Sequence, residues 1–175
     1  TVIAALLAVL PHATAGAAAS VGDVYVYRVG NGYINNSDLG KLRYRIEKVG
    51  ADRIEVAVTA DNPRAGIAHA AIYTSDGNWL RGQINSHDQR VDYVFAAPYP
   101  AYAFPLESGK SWSQRVDATS AATGKTSSVR IDGEILGTER ITVPAGTFEV
   151  VKVRRRIYAG DRDGDRMETT TTETD

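Results

Sequence analysis

The sequence predicts an all-β fold: a single strongly curved antiparallel sheet or half-barrel, with room for one short helix. Three observations carry that expectation. Apolar and polar residues alternate with period two beyond residue 22. Asp-Gly and Pro-Ala-Gly corners punctuate the alternating runs. No segment repeats its apolar residues convincingly at helical spacing. The alternating runs number about nine strands, and a sheet of that size tends to curl around its own core.

The chain opens on Val2-Ile3-Ala4-Ala5-Leu6-Leu7-Ala8-Val9-Leu10, an apolar run of the length of a signal-peptide core, and Pro11 ends any helix there. The run is too short to span a bilayer. Ala13-Thr14-Ala15, Ala15-Gly16-Ala17 and Ala17-Ala18-Ala19 each offer the small-x-small spacing that a signal peptidase cuts. Residues 1–19 therefore read as a signal-peptide remnant and residues 20–175 as one antiparallel β domain. The expected setting is the bacterial periplasm or the extracellular space.

In the first strand Tyr25 and Tyr27 alternate with Val24 and Val26, so both faces carry apolar material. Leu42, Tyr44 and Ile46 then alternate with Arg43, Arg45 and Glu47, and after Gly50-Ala51-Asp52 the pattern resumes with Ile54, Val56 and Val58. A three-residue loop at Gly50–Asp52 pairs Ile46 with Val56 and Tyr44 with Val58, whereas a two-residue loop would set Arg45 against Val58. The three-residue loop keeps the apolar face intact. Between Asn62 and Ala71 the alternation lapses, and the one short helix, if present, belongs there.

Asp76-Gly77 and Asp163-Gly164 are short hairpin signals, because glycine accepts positive φ at low cost. With a two-residue turn at Asp163-Gly164, Tyr158 faces Thr169, Arg156 faces Thr171 and Arg154 faces Glu173. The segment Ala96–Leu106 contains Pro98, Pro100 and Pro105 and reads as a crossing loop, with Tyr99, Tyr102, Phe104 and Leu106 available to cap an open end of the sheet. Gly133 and Gly137, inside a long run from Ser128 to Val143, mark bends or bulges. Ile141–Val151 reads as two strands joined at Pro144-Ala145-Gly146.

At 175 residues the chain suits one domain, and a core of that size needs neither disulfide nor metal. It has no cysteine, which removes thiol nucleophiles and thiolate metal sites. Twenty basic residues against twenty-one acidic ones leave a net charge of −1, so nucleic acid is not an expected partner. No polybasic cluster or long apolar helix signals membrane attachment, and no integral membrane span is expected.

Candidate chemistry is sparse. Asp161, Asp163 and Asp165 are spaced to converge on a hard cation, but a calcium loop counted from Asp161 would place Arg166 where glycine belongs and Thr172 where glutamate belongs. A solvated Asp-Gly turn is the simpler expectation. His69 and His87 lack metal-ligand spacing, and Ser86-His87-Asp88 has no nucleophile elbow beside it. Lys152, Arg154 and Arg156 share one strand face, with Asp132, Glu134 and Glu173 available as cross-strand partners. Neither a catalytic residue nor a metal or cofactor site is expected.

Nine tyrosines and two tryptophans supply instead the lining of an apolar-ligand site. The candidate ligand-binding residues are Tyr25, Tyr27, Tyr44, Trp79, Tyr99, Tyr102, Phe104 and Trp112.

Phe104-Pro105-Leu106, Gly109-Lys110-Ser111-Trp112, the glycines at 133 and 137, Val143-Pro144-Ala145-Gly146-Thr147-Phe148 and Val151-Lys152-Val153 together resemble a group of uncharacterised bacterial envelope β-sheet proteins. Some of that group are similar to the lipoprotein-carrier half-barrel. The resemblance covers roughly the second half of the β domain and its motifs are structural. It implies an antiparallel sheet and, through the fold alone, lipid handling.

The expectation is therefore a non-catalytic exported protein that binds a hydrophobic small molecule or lipid on a curved sheet. An envelope protein–protein interaction module is the alternative, and an enzyme of unknown class stands third.

Overall fold

In a computed structural model, residues 19–31, 34–35, 37–86, 89–144, 146–159 and 166–174 are described. They form one ten-stranded antiparallel sheet in which every strand pairs with its sequence neighbours. The strands are β1 (Val24–Asn31), β2 (Ser37–Val49), β3 (Arg53–Ala60), β4 (His69–Thr74), β5 (Trp79–Ser86), β6 (Gln89–Tyr99), β7 (Ser111–Ser120), β8 (Thr126–Val143), β9 (Gly146–Ala159) and β10 (Arg166–Thr174). The sheet curls into a half-barrel, as the period-two pattern leads one to expect. Its concave face holds the core.

Alternation explains that core strand by strand. Leu42, Tyr44 and Ile46 of β2, Ile54, Val56 and Val58 of β3, and Val129, Ile131 and Ile135 of β8 are all buried, while their sequence neighbours face outward. A buried aliphatic side chain of this size contributes about 1.5–3 kcal/mol, which is what specifies the register. Ile46 faces Val56 and Tyr44 faces Val58 as expected, but not through a three-residue loop: Val49 pairs with Ile54 and Lys48 with Glu55, the register of a two-residue turn closed by the Gly50 N–H on the Arg53 carbonyl at 2.8 Å, and a bulge between Ile46 and Lys48 restores the apolar pairing. Asp76-Gly77 likewise turns β4 into β5, with Gly77 at φ 80° and the Thr74 N–H donating to the Asn78 carbonyl at 2.7 Å.

No helix occurs among the described residues. Between Asn62 and Ala71 the chain makes one turn only: the Ala65 and Gly66 N–H groups donate to the Asn62 carbonyl at 3.1 and 3.3 Å, and the Asn62 side chain accepts from the Arg64 N–H at 2.7 Å. Asn62 starts a local turn that Gly66 ends before it can propagate.

Three further expectations need correction. Ala96–Leu106 is not a loop throughout, because β6 continues to Tyr99, which pairs with Trp79. The ladder jumps from Arg81↔Val94 to Trp79↔Tyr99, and this irregularity accommodates Pro98, which no regular interior ladder would accept. Gly133 is not a bulge. It sits in register opposite Trp112, and a Cβ there would lie 2.1 Å from the indole, so glycine provides the seat for that ring. Gly137 does mark a bulge, with φ 131°.

The third correction concerns β10. Tyr158 pairs with Arg166, Arg156 with Glu168 and Arg154 with Thr170, three positions from the register of a two-residue Asp163-Gly164 turn. β9 ends at Ala159 and β10 begins at Arg166, so the connection is longer than the Asp-Gly signal implies. The turn itself, the Asp161–Asp165 cluster, His87 and the 1–18 stretch of the signal segment lie outside the described residues.

Candidate functional site

β9 carries the most informative departure from an apolar core. Val151, Val153, Arg155, Ile157 and Ala159 face inward and are buried, and Arg155 is only 1% exposed. A guanidinium on this face costs several kcal/mol of desolvation that neighbouring polar groups must offset. The basic stripe noticed in the sequence is the opposite face of the same strand. There Arg154 pairs with Glu134, and Lys152 reaches Glu139 at 3.2 Å. These pairs match the solvated cross-strand arrangement, so the outward stripe is no exposed anion trap.

Arg155 packs against a phenol. Its guanidinium carbon lies 5.1 Å from the centre of the Tyr102 ring, in cation–π range. Its charge also reaches the hydroxyls of Tyr44 on β2, Tyr73 on β4 and Tyr99 at the end of β6. Burial pushes all three phenols above their ordinary value, and the nearby Arg155 charge only partly opposes it. They stay protonated at neutral pH. Tyr99 Oη is fully buried with no hydrogen-bond partner in the protein.

Aromatic packing supports this polar centre. Trp79 stacks on Tyr99 with centroids 4.9 Å apart, and Tyr73 meets Trp79 edge-on at 6.4 Å. Trp79 lies over Gly82, where a Cβ would come within 2.8 Å of the ring. At the β1 edge, Tyr27 meets Tyr44 edge-on at 5.3 Å. Tyr25 is half-buried against the same core, and burial together with Asp23 raises its phenol.

The 100–110 loop is tied to the β4–β5 turn, to β7 and to itself by hydrogen bonds. The Tyr102 N–H donates to Asn78 Oδ1 at 2.9 Å, Trp112 Nε1 donates to the Pro100 carbonyl at 2.8 Å, and Lys110 Nζ donates to the Phe104 carbonyl at 2.7 Å. Of the eight candidate residues, Tyr44, Trp79, Tyr99 and Tyr102 are buried in the core, while Tyr25, Tyr27 and Trp112 are half-buried around it. Phe104, 6.2 Å from Tyr102, remains exposed. The structure thus buries Tyr44, Trp79, Tyr99 and Tyr102 in one core, with Trp79 stacked on Tyr99 and Tyr102 against Arg155. Tyr25, Phe104 and Trp112 lie at the periphery.

Sequence reasoning missed Arg155 and Tyr73. The signal for Arg155 is strict alternation from Val153 to Ile157, which places residue 155 inside, and its basic neighbours Arg154 and Arg156 make it look like part of their outward stripe. Tyr73 was equally legible as the inward partner of Ala71 on β4.

His69 is half-buried on β4, and its Nδ1–H donates to the Ile67 carbonyl at 2.9 Å. Burial lowers its pKa. Among the described residues no group of three or more His, Asp or Glu side chains is placed to hold a metal ion. No helix among them is long and apolar enough to cross a membrane. Comparison with family models, curated proteins and solved structures finds no match for this chain.

Proposed function

We propose that this is a non-catalytic exported protein that binds a lipid-like amphiphile on the concave face of its half-barrel. The observation that carries the proposal is the polar centre at Arg155, held within an otherwise apolar and aromatic wall. Ligand sites combine these features: apolar lining for area, and a few placed polar groups for orientation. Among the described residues no pairing joins β1 to β10. The ligand enters along that unsealed side, past the half-buried Tyr25 and Tyr27 of β1.

Export is supported by the Val2–Leu10 segment and its small-x-small sites. The similarity of the Phe104–Trp112 and Val143–Phe148 motifs to envelope β-sheet proteins supports the same setting. Native mass spectrometry of the purified protein, extracted with organic solvent and then mixed with twelve-carbon amphiphiles, tests the proposal. A stoichiometric adduct with an anionic or a neutral amphiphile is expected, and its absence with both would overturn the reading.

The alternative, a protein–protein interaction module, is favoured by one observation. Val24 and Val26 are 43% and 50% exposed on edge strand β1, where unpaired backbone groups invite a partner strand. Tyr99 and Tyr102 are buried and do not form such a surface. A crosslinker placed at Val26 should capture one dominant envelope protein if that reading holds, and none if it fails.

A further inference from the structure

We propose that β1 is a docking edge for an extended acidic segment of a partner protein, which joins the sheet beside Val24–Tyr27 with carboxylates on the convex side and apolar residues on the concave side. The inference rests on the edge-strand alternative above, is independent of amphiphile binding, and adds the chemistry of the partner.

Among the described residues no strand pairs with β1 on the side away from β2. The Ile46 N–H donates to the Asp23 carbonyl at 3.0 Å, and antiparallel ladders alternate, so the N–H and C=O groups of Val24 and Val26 point away from β2. Edge strands are ordinarily guarded by charge, proline or a bulge in the edge itself. β10, at the other edge, contains Arg166, Glu168 and Glu173. Val24-Tyr25-Val26-Tyr27 has no such guard, and the irregularity in its ladder lies further on, between Val29 and Gly30.

Charge selects the occupant. β1, β2 and β3 together contain six basic and three acidic residues, although the whole chain carries a net charge of −1. The three acids are all engaged: Asp38 with Arg28 at 3.2 Å, Glu47 with Arg45 at 3.6 Å and Glu55 with Lys48 at 2.8 Å. Lys41 and Arg43 are exposed and have no carboxylate at ion-pair distance among the described residues. Arg43 lies across the ladder from Val26, and Arg45 from Val24.

A strand added at β1 would run two strand spacings, about 10 Å, from β2, a span that a glutamate and an arginine bridge over the two valines. The basic residues stand mainly on the second strand, so they leave the edge open and set a positive field beside it. That field favours an acidic partner and repels a basic one. On the concave side the half-buried Tyr25 and Tyr27 would meet the partner's intervening side chains, which suits apolar residues. The partner segment therefore alternates acidic and apolar residues.

The test is a fluorescence-anisotropy titration of three labelled peptides: one alternating glutamate and valine, the same peptide with lysine for glutamate, and the acidic peptide N-methylated at its glutamate amides. The unmodified acidic peptide should bind about tenfold or more tightly than either of the others, and less tightly as salt rises. Lys41→Glu with Arg43→Glu should remove the preference for acid without moving the thermal midpoint. Val26→Pro, which deletes an N–H that β2 does not use, should abolish binding of the acidic peptide.

Equal affinity for the acidic and basic peptides would overturn the charge assignment and leave the edge-strand reading standing. Undiminished binding of the N-methylated peptide would overturn strand addition. Binding to phosphatidylglycerol vesicles but to none of the peptides would overturn the proposal and assign the basic face to a membrane surface, and no binding to any probe would overturn it outright. The peptide comparison on the native protein decides the question even if Val26→Pro does not fold.

Discussion

At the residue scale, two positions show how close contact in this sheet depends on the smallest side chain. Trp112 lies against Gly133, where an added methyl would sit 2.1 Å from the indole. Gly133→Ala should therefore displace the ring, break its hydrogen bond to Pro100 and lower stability by about 1–3 kcal/mol. Urea unfolding together with a change in tryptophan emission would check it. His69 supplies a pH prediction whose sign follows from burial. Its folded-state pKa is lowered, so the unfolded chain takes up a proton that the folded ring resists, and stability falls as pH drops below the ordinary imidazole value of about 6.5. The urea midpoint should decline between about pH 7.5 and about pH 5.5, and His69→Asn should flatten the His69 share of that decline. Gly133 was visible in the sequence only as a break in a strand pattern. What distinguishes a bulge from an aromatic seat is the residue across the ladder, and that partner depends on tertiary pairing.

At the scale of elements, hairpins with short loops were legible because alternation and turn chemistry agreed. At Gly50–Asp52 alternation gave the right partners, Tyr44 opposite Val58, but not the turn, because a bulge between Ile46 and Lys48 makes up the residue that a shorter turn leaves out. The β9–β10 register failed for the converse reason: β10 is Arg-Met-Glu followed by four threonines, Glu and Thr, with little apolar contrast between its faces to anchor the pairing. In the β8–β9 hairpin, Gly146 pairs with Val143 at φ 143°, a backbone conformation that side chains rarely adopt. Gly146→Ala should cost about 1–3 kcal/mol in chemical denaturation and leave amphiphile affinity untouched. The outward pairs of the same hairpin matter less. Arg154 and Glu134 are each roughly a third exposed or more, so solvent screens them, and Glu134→Gln should shift stability by under about 1 kcal/mol in the same assay.

At the scale of the whole molecule, the all-β class and the curvature follow from a sheet with too many strands to stay flat, and both were readable from period-two alternation. The centre of the concave face was not. Tyr44, Tyr99 and Tyr102 stood out as aromatic residues, but the packing of Tyr102 against the buried Arg155 of β9 arises from the curling of the sheet, a juxtaposition that no local pattern encodes. The most direct measurement is a crystal structure of the protein grown with 12-bromododecanoate and phased on the bromine signal. The expected result is bromine on the concave side of the half-barrel, against its aromatic core. Bromine on the convex face alone, or no ordered bromine at saturating ligand, would contradict amphiphile binding on the concave face.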